Sequence, residues 1–162
     1  MKTKTFFTLL LLLIITSISV NGQNSKFSGE WSLDKEKSTV SEELFLSRLT
    51  IQLKSDSVFT TRVYANGYGE EYPFDENLSL DGKDCSIYIY DMPRTSKAFR
   101  STSDGSLTIE SKTTFYGNNG EEDMTAKEIW KVDSAGNILS INYTNKISGE
   151  ETTGTIYYNK VK

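Results

Sequence analysis

The sequence contains no histidine, and Cys85 is its one cysteine. Without an imidazole the chain has no histidine base, no histidine metal ligand and no histidine-containing catalytic triad. One thiol cannot form an internal disulfide, so the fold must be stabilised by its own core. We therefore predict a protein that is not an enzyme and holds neither metal nor cofactor. The default role of Cys85 is that of a buried, inert thiol.

Clusters of basic residues are also missing. The chain has 18 Lys and Arg against 22 Asp and Glu, which gives a formal net charge of −4. Binding to nucleic acid or to an anionic membrane surface depends on grouped Lys and Arg, so neither partner is predicted. After the leader no apolar run is long enough to cross a bilayer, and no transmembrane segment is predicted in the mature chain. The sequence identifies no protein partner.

The leader has the three parts of a secretory signal: a charged start, a short apolar run and a small-residue cleavage site that ends at Gly22. The apolar run over 6–15 is too short for a bilayer, which takes about 20 residues. We predict a signal peptide over 1–22 that is cleaved before Gln23, and one exported domain over 23–162, periplasmic or secreted. Two lysines leave with the leader, so the net charge of the mature chain would be −6.

The mature sequence alternates apolar and polar residues with period two, as in Leu49, Ile51 and Leu53. This period is typical of strands with one buried face. Clusters of Asp, Asn, Ser and Gly separate about ten such segments, and no helix-length segment intervenes. We predict an all-β fold, an up-and-down antiparallel β-barrel of about eight to ten strands, with a sandwich as the alternative. The stretch 41–46 is the one candidate for a short helical turn.

Three stretches carry a family resemblance: Gly29-Glu30-Trp31 in the first strand, LDGK at 80–83, and EIWKVDSAGNILSI at 128–141. Together with the strand pattern they resemble the lipocalin-like superfamily, in particular its small secreted bacterial members. The resemblance implies a structural barrel floor, in which Gly29 starts the strand and Trp31 plugs the closed end. It also implies an interior that holds small lipophilic ligands. The last strand lacks the Arg-x-Tyr pair with which fatty-acid-binding proteins hold a carboxylate, so a fatty-acid role is not implied.

Turns of an up-and-down barrel alternate between its two ends, which divides the connections into two groups. The shorter, Asp-led turns share one end: 55–57, 81–83, 103–105 and 133–137. The longer connections share the other: 34–47, 65–71, 91–93, 117–122 and 147–151. Because three of the longer ones contain Gly-Glu-Glu, we predict an open mouth ringed by glutamates, with 34–47 as its lid. The glutamates would either attract a cation such as Ca²⁺ or be ordinary solvated turn residues; no dedicated calcium loop is present.

Aromatic and arginine side chains are the candidates for binding a ligand at the mouth or in the interior. Tyrosine suits flat or amphipathic ligands, and an inward arginine could hold a carboxylate, although surface placement is expected for arginine. The candidates are Phe45, Arg62, Tyr64, Tyr68, Tyr72, Tyr88, Arg100 and Tyr116.

The leading functional prediction is an exported, non-enzymatic protein that holds a small apolar or amphipathic molecule inside its barrel. The alternative is an interaction or structural module whose barrel is filled by its own side chains. Interior volume discriminates the two, because ligand pockets have volumes of about 300 Å³ or more.

Overall fold

A computed structural model describes residues 26–41, 43–117 and 120–162. Ten antiparallel strands form one sheet that curls into a nearly closed barrel, which confirms the predicted fold class and rules out the two-sheet sandwich. In chain order the strands are β1 (Gly29–Leu33), β2 (Phe45–Leu53), β3 (Ser57–Ala65), β4 (Glu71–Ser79), β5 (Cys85–Ile89), β6 (Met92–Arg100), β7 (Leu107–Gly117), β8 (Gly120–Val132), β9 (Ile138–Ile147) and β10 (Glu150–Lys160).

The predicted signal peptide, 1–22, lies outside the described residues. Within them, the structure contains no helix with the length and apolar character needed to cross a membrane.

Strand pairing follows the chain order around the barrel. Each strand pairs with the next except β4 with β5, and β1 also pairs with β10, which joins the first strand to the last. Between β4 and β5 the described residues form no ladder, and this seam is the opening in the barrel wall. Near the seam the chain leaving β4 turns to β6 instead: Asp81 bridges Phe99, and the Gly82 amide donates to the Ala98 carbonyl at 3.1 Å.

The apolar core fills one half of the barrel. Its members alternate along their strands with outward polar residues, as the period-two pattern predicts. Each buried apolar side chain of this size contributes roughly 1.5–3 kcal/mol. The most deeply buried are Trp31, Leu49, Ile51, Val58, Leu78, Leu107, Ile109, Trp130, Leu139, Ile141 and Tyr158. All lie toward the end of the barrel that holds the 54–56, 80–84, 101–106 and 133–137 connections, which is therefore closed.

The Gly-x-Trp motif lies at this closed end. Trp31 is 1% exposed, and its indole Nε1 donates to the Phe27 carbonyl at 2.9 Å. The Lys160 Nζ lies 5.0 Å from the centre of the Trp31 ring and donates to the Lys26 carbonyl at 3.1 Å. Gly29 has a φ of 136°, and a Cβ there would lie 2.8 Å from the Cε of Lys160. Glycine is required because the lysine stem crosses this position to reach the indole.

The start of β2 corrects one prediction. Phe45 and Leu46 do not form a helical turn; they pair with Ala65 and Tyr64 of β3. A bulge between Leu46 and Arg48 then shifts the register, so that Leu46 and Leu49 are both buried on the inner face. The bulge explains why the period-two pattern of β2 is regular only from Leu49 onward.

The division of turns between the two ends is confirmed by the strand order. Closed-end turns are stabilised by aspartate side chains, as Asp133 shows: its Oδ1 accepts the Asn137 and Ile138 amides at 2.7 and 3.0 Å. Of the described residues, the open end carries 34–41, 43–44, 66–70, 90–91 and 148–149. These residues surround the mouth of the barrel.

We expect Trp31→Ala to lower the free energy of unfolding by about 3–5 kcal/mol, because it removes the largest side chain of the floor and leaves a cavity. Trp31→Phe should lose less. The measurement is urea unfolding followed by circular dichroism, with the exposed neighbour Ser32→Ala as control. A loss below about 1 kcal/mol for Trp31→Ala would contradict the role of the indole as the floor.

Candidate functional site

Four charged side chains are buried together at mid-height in the barrel, above the apolar core. We call Arg62, Glu76, Arg94 and Glu128 the charge cluster. Arg62 donates from both Nη atoms to the two carboxylate oxygens of Glu128, each at 2.9 Å. The Nε of Arg94 donates to Glu76 Oε1 at 2.8 Å, and the Nε of Arg62 lies 3.3 Å from Glu76 Oε2. The cluster thus holds two positive and two negative charges in direct contact.

Neighbouring side chains stabilise these charges further. The Trp130 indole donates to Glu128 Oε2 at 2.7 Å, and the Ser96 hydroxyl donates to Glu76 Oε1 at 2.7 Å. Burial by itself would lower the pKa of Arg62, but the carboxylates of Glu128 and Glu76 outweigh it and raise the pKa. The guanidinium therefore stays charged, and the cluster as a whole is neutral.

The open half of the barrel is hollow above the charge cluster. The main cavity has a volume of about 610 Å³. Its wall is mostly apolar and aromatic, with Tyr64 and Phe74 stacked at 6.0 Å between ring centres and 10° between ring planes. The lining residues are Glu43, Leu44, Tyr64, Asn66, Tyr72, Phe74, Ile89, Tyr90, Met92, Arg94, Thr113 and Met124. A cavity of this size and character fits an apolar ligand of drug-like dimensions.

A side cavity of about 340 Å³ adjoins the main one and shares Leu44, Tyr64, Arg94 and Met124 with it. The β1–β2 connection forms part of its wall. This connection lies along β10. The Thr39 amide donates to the Thr155 carbonyl at 2.9 Å, and the Tyr157 amide donates to the Ser38 hydroxyl at 2.8 Å. These hydrogen bonds hold the predicted lid along β10, and its Leu44 lines both cavities.

The polar groups available to a ligand lie near the base of the main cavity. Arg94 donates from Nη1 to the Thr113 hydroxyl at 3.1 Å, and its Nη2 donates to no residue in the described part of the chain. The Tyr64 hydroxyl likewise has no hydrogen-bond partner among those residues. Burial raises the pKa of this hydroxyl. Arg94, Thr113 and Tyr64 therefore provide a small polar patch at the base, while Glu43 and Asn66 line the cavity nearer the mouth.

The structure brings three of the predicted binding residues to the cavities. Tyr64 and Tyr72 line the main cavity and Phe45 lines the side cavity. Arg62 is fully buried, so its expected surface placement is wrong. Both Nη atoms of its guanidinium donate to Glu128, and the residue lines neither cavity.

The other predicted binding residues lie away from the cavities. Tyr68, Tyr88 and Tyr116 are 94%, 78% and 86% exposed. Tyr68 is in a loop, whereas Tyr88 and Tyr116 occupy outward positions on β5 and β7. Arg100 ends β6 at the closed end, far from the mouth. Cys85 is partly buried against the core rather than fully buried.

Sequence reasoning missed several lining residues, of which Arg94, Phe74 and Met124 are the most important. A signal for each was present. Arg94 shares its alternation with the inward Ser96 and Ala98, and Phe74 follows Tyr72 by two positions. Arg94 comes directly after Asp91-Met92-Pro93, a turn-like stretch that forms the β5–β6 hairpin and the start of β6.

The glutamates of the mouth mostly engage their own neighbours. Glu71 pairs with Arg48 at 2.7 Å, Glu70 accepts from Asn66 and Tyr72 at 2.7 and 2.8 Å, and Glu122 accepts from Ser148 at 2.9 Å. Across residues 26–41, 43–117 and 120–162, no three acidic or thiol side chains are placed to hold a metal ion. The Gly-Glu-Glu segments thus make the rim acidic without gathering into a site.

The chain matches no protein-family model, no curated protein and no solved structure. Its function must therefore be inferred from the barrel and its cavities.

We expect Arg62→Met to lower the free energy of unfolding by about 3–5 kcal/mol, because it leaves two buried carboxylates against one guanidinium. The double variant Arg62→Met/Glu128→Gln restores the charge balance and should recover about 2 kcal/mol or more of that loss. Urea unfolding of both variants measures the coupling. A double variant no more stable than Arg62→Met would contradict the pairing.

The charge cluster also predicts acid sensitivity. Burial would raise the pKa of the Glu128 carboxyl, but the charge of Arg62 and the hydrogen bonds from Arg62 and Trp130 hold this pKa below the usual 4.5. The pKa of Glu76 is also lowered, because the charges of Arg62 and Arg94 outweigh the effect of burial. A lowered folded pKa stabilises the fold above the unfolded value, and this contribution is lost as the pH falls through the folded pKa. Unfolding free energies measured from about pH 6 down to about pH 3 should fall less steeply for Arg62→Met/Glu128→Gln than for the wild type. The rim variant Glu121→Gln should keep the wild-type slope; equal slopes for the double variant and the wild type would refute the prediction.

Proposed function

We propose that the protein is an exported, lipocalin-like binding protein that holds a small apolar or amphipathic molecule in the open half of its barrel. The observation that carries this proposal is the main cavity of about 610 Å³ with its aromatic and aliphatic wall. Export rests on the signal-like leader, and the lipocalin likeness rests on the Gly-x-Trp floor and the barrel.

The volume of the cavity supports binding over the filled-barrel alternative. A barrel that served only as an interaction module would be filled by inward side chains along its whole length. Here the core fills the closed half, and the cavity exceeds the roughly 300 Å³ at which ligand pockets begin. Apolar ligand surface buried there would gain about 25 cal/mol per Å².

The nature of the wall indicates the shape of the ligand. The parallel rings of Tyr64 and Phe74 offer a flat apolar face, and Met92 and Met124 are flexible side chains that adapt to irregular shapes. Arg94 and Thr113 provide hydrogen-bonding groups near the base. A ring-containing molecule with one polar group is the class that this arrangement fits best.

No catalytic role is part of the proposal. The charged side chains at the base of the cavity are bound to one another within the charge cluster, so they serve structure first. A neutral, internally paired cluster beneath an apolar wall supports binding without turnover.

Met124→Trp tests the proposal directly, since Met124 lines both cavities and a larger side chain there would fill them. We expect the wild type to take up an environment-sensitive, uncharged apolar dye such as N-phenyl-1-naphthylamine or Nile red, and Met124→Trp to bind it at least about tenfold more weakly. Thr125→Trp places the same side chain on the outer face of β8 and is the matched control. Equal dye binding by both variants would show that uptake does not occur in the barrel.

A native mass spectrum of the protein purified from its own source, beside a denatured one, would reveal a retained ligand. An extra mass lost on denaturation is the expected result. Equal masses, together with failure to take up either dye, would favour the filled interaction module.

A further inference from the structure

We propose that the polar group of the ligand is an uncharged hydrogen-bond acceptor, such as an alcohol, ketone, ester or amide, which accepts from Arg94 at the base of the main cavity. This inference rests on the proposed function and specifies the ligand class. It runs against the first expectation for a buried arginine in a binding cavity, which is recognition of a carboxylate.

The charge balance of the cluster is the first argument. Arg62 and Arg94 are matched by Glu76 and Glu128, all four within a continuous chain of contacts of 3.3 Å or less. A carboxylate at the base of the cavity would make a third negative charge against two positive ones. In a partly desolvated interior such an unmatched charge is costly, whereas a neutral acceptor adds none.

The geometry of Arg94 is the second argument. Bidentate binding of a carboxylate uses two adjacent N–H groups of the guanidinium fork. Arg94 already donates from Nε to Glu76 at 2.8 Å and from Nη1 to Thr113 at 3.1 Å. Among the described residues Nη2 has no acceptor, and it is the group left for a ligand. One Nη2 N–H is sufficient for a carbonyl or hydroxyl oxygen, whereas a carboxylate fork would also use Nη1 or Nε, which already donate to Thr113 and Glu76.

The mouth provides the third argument. An acid could avoid the base by pointing its carboxylate outward, but the rim there is acidic: Glu43 lines the main cavity, and Glu70 lies in the next connection around it. Like charges repel, so a carboxylate is disfavoured at both ends of the cavity. A cationic head would suit the rim, but at the base it would lie against the guanidinium of Arg94. A neutral ligand meets neither conflict.

A matched set of fluorescent probes tests this inference: anthracenemethanol, anthracenecarboxylate and anthracenemethylammonium, which share one flat body and differ in charge at neutral pH. Binding is measured by fluorescence titration of the full mature protein at low and at moderate salt. We expect the alcohol to bind about tenfold or more tightly than the carboxylate, and more tightly than the ammonium. Tighter binding of either ion than of the alcohol would overturn the inference while leaving the proposed function intact. If none of the three binds but the apolar dyes do, the role of Arg94 in holding a head group is also overturned; if nothing binds at all, the proposed function fails as well.

Glu76→Gln provides a second test, because it gives the charge cluster one net positive charge while the glutamine oxygen can still accept from Arg94 and Ser96. The preference for the alcohol over the carboxylate should fall by about tenfold or reverse. Glu110→Gln makes the same change in charge on the outer face of β7, where Glu110 pairs with Lys97 and Lys127, and should leave the preference as in the wild type.

Thermal unfolding confirms that each variant is folded before it is titrated. If Glu76→Gln does not fold, Glu128→Gln makes the same change in the cluster. An unchanged preference in a folded cluster variant would show that the charge balance does not select the ligand, and would overturn the inference.

Discussion

The pairing of buried charges inside the barrel is the constraint on which the rest of the structure depends. Arg62 on β3 holds Glu128 on β8 through two hydrogen bonds of 2.9 Å, and these strands lie almost opposite each other in the ten-strand order. An isolated charge at this depth would be strongly unfavourable, so each member of the cluster requires its partners. The pairs therefore fix the width of the barrel at mid-height. Below them the core is packed, and above them the barrel is hollow.

The same cluster closes the barrel wall where the backbone does not. Between β4 and β5 the described residues form no ladder, and the strands are held across the seam by side chains. Glu76 on β4 accepts from Arg94 and Ser96 on β6, and nearer the mouth the Tyr90 hydroxyl donates to the Pro73 carbonyl at 2.9 Å. Side-chain bonds can part without breaking a ladder, so this seam is the weakest part of the wall. Its position beside the main cavity makes the charge cluster relevant to both stability and access.

The cavity arises from a change in side-chain size along the inward positions. In the closed half these positions carry Trp31, Trp130 and Tyr158, whereas nearer the open half β7 and β8 present the small residues Thr113 and Ala126. Small inward residues leave space between the walls that no side chain reaches across. A binding function is therefore supported by which residues face inward near the mouth, more than by the fold, since one fold can serve many functions.

Much of the fold was predictable because its determinants are local. Alternation in segments such as 49–53, turn residues between them and the Gly-x-Trp start all depend on neighbours along the chain, so ten antiparallel strands and the two groups of turns followed directly. Part of the site followed as well: Tyr64 and Tyr72 were predicted as lining residues and lie in the cavity wall. The start of β2 was mispredicted, because strand pairing and a bulge overrode a local turn preference.

The strands, their order, the closed end and the lack of histidine chemistry follow from period, turn residues and composition, which are properties of the chain alone. The burial of Arg62, its contacts with Glu76, Arg94 and Glu128, and the hollow space above them arise from the closed barrel. These contacts connect residues 14 to 66 positions apart, between neighbouring strands, across the seam and across the barrel. No local pattern encodes which charges meet at that depth, because the pairing depends on how the sheet closes.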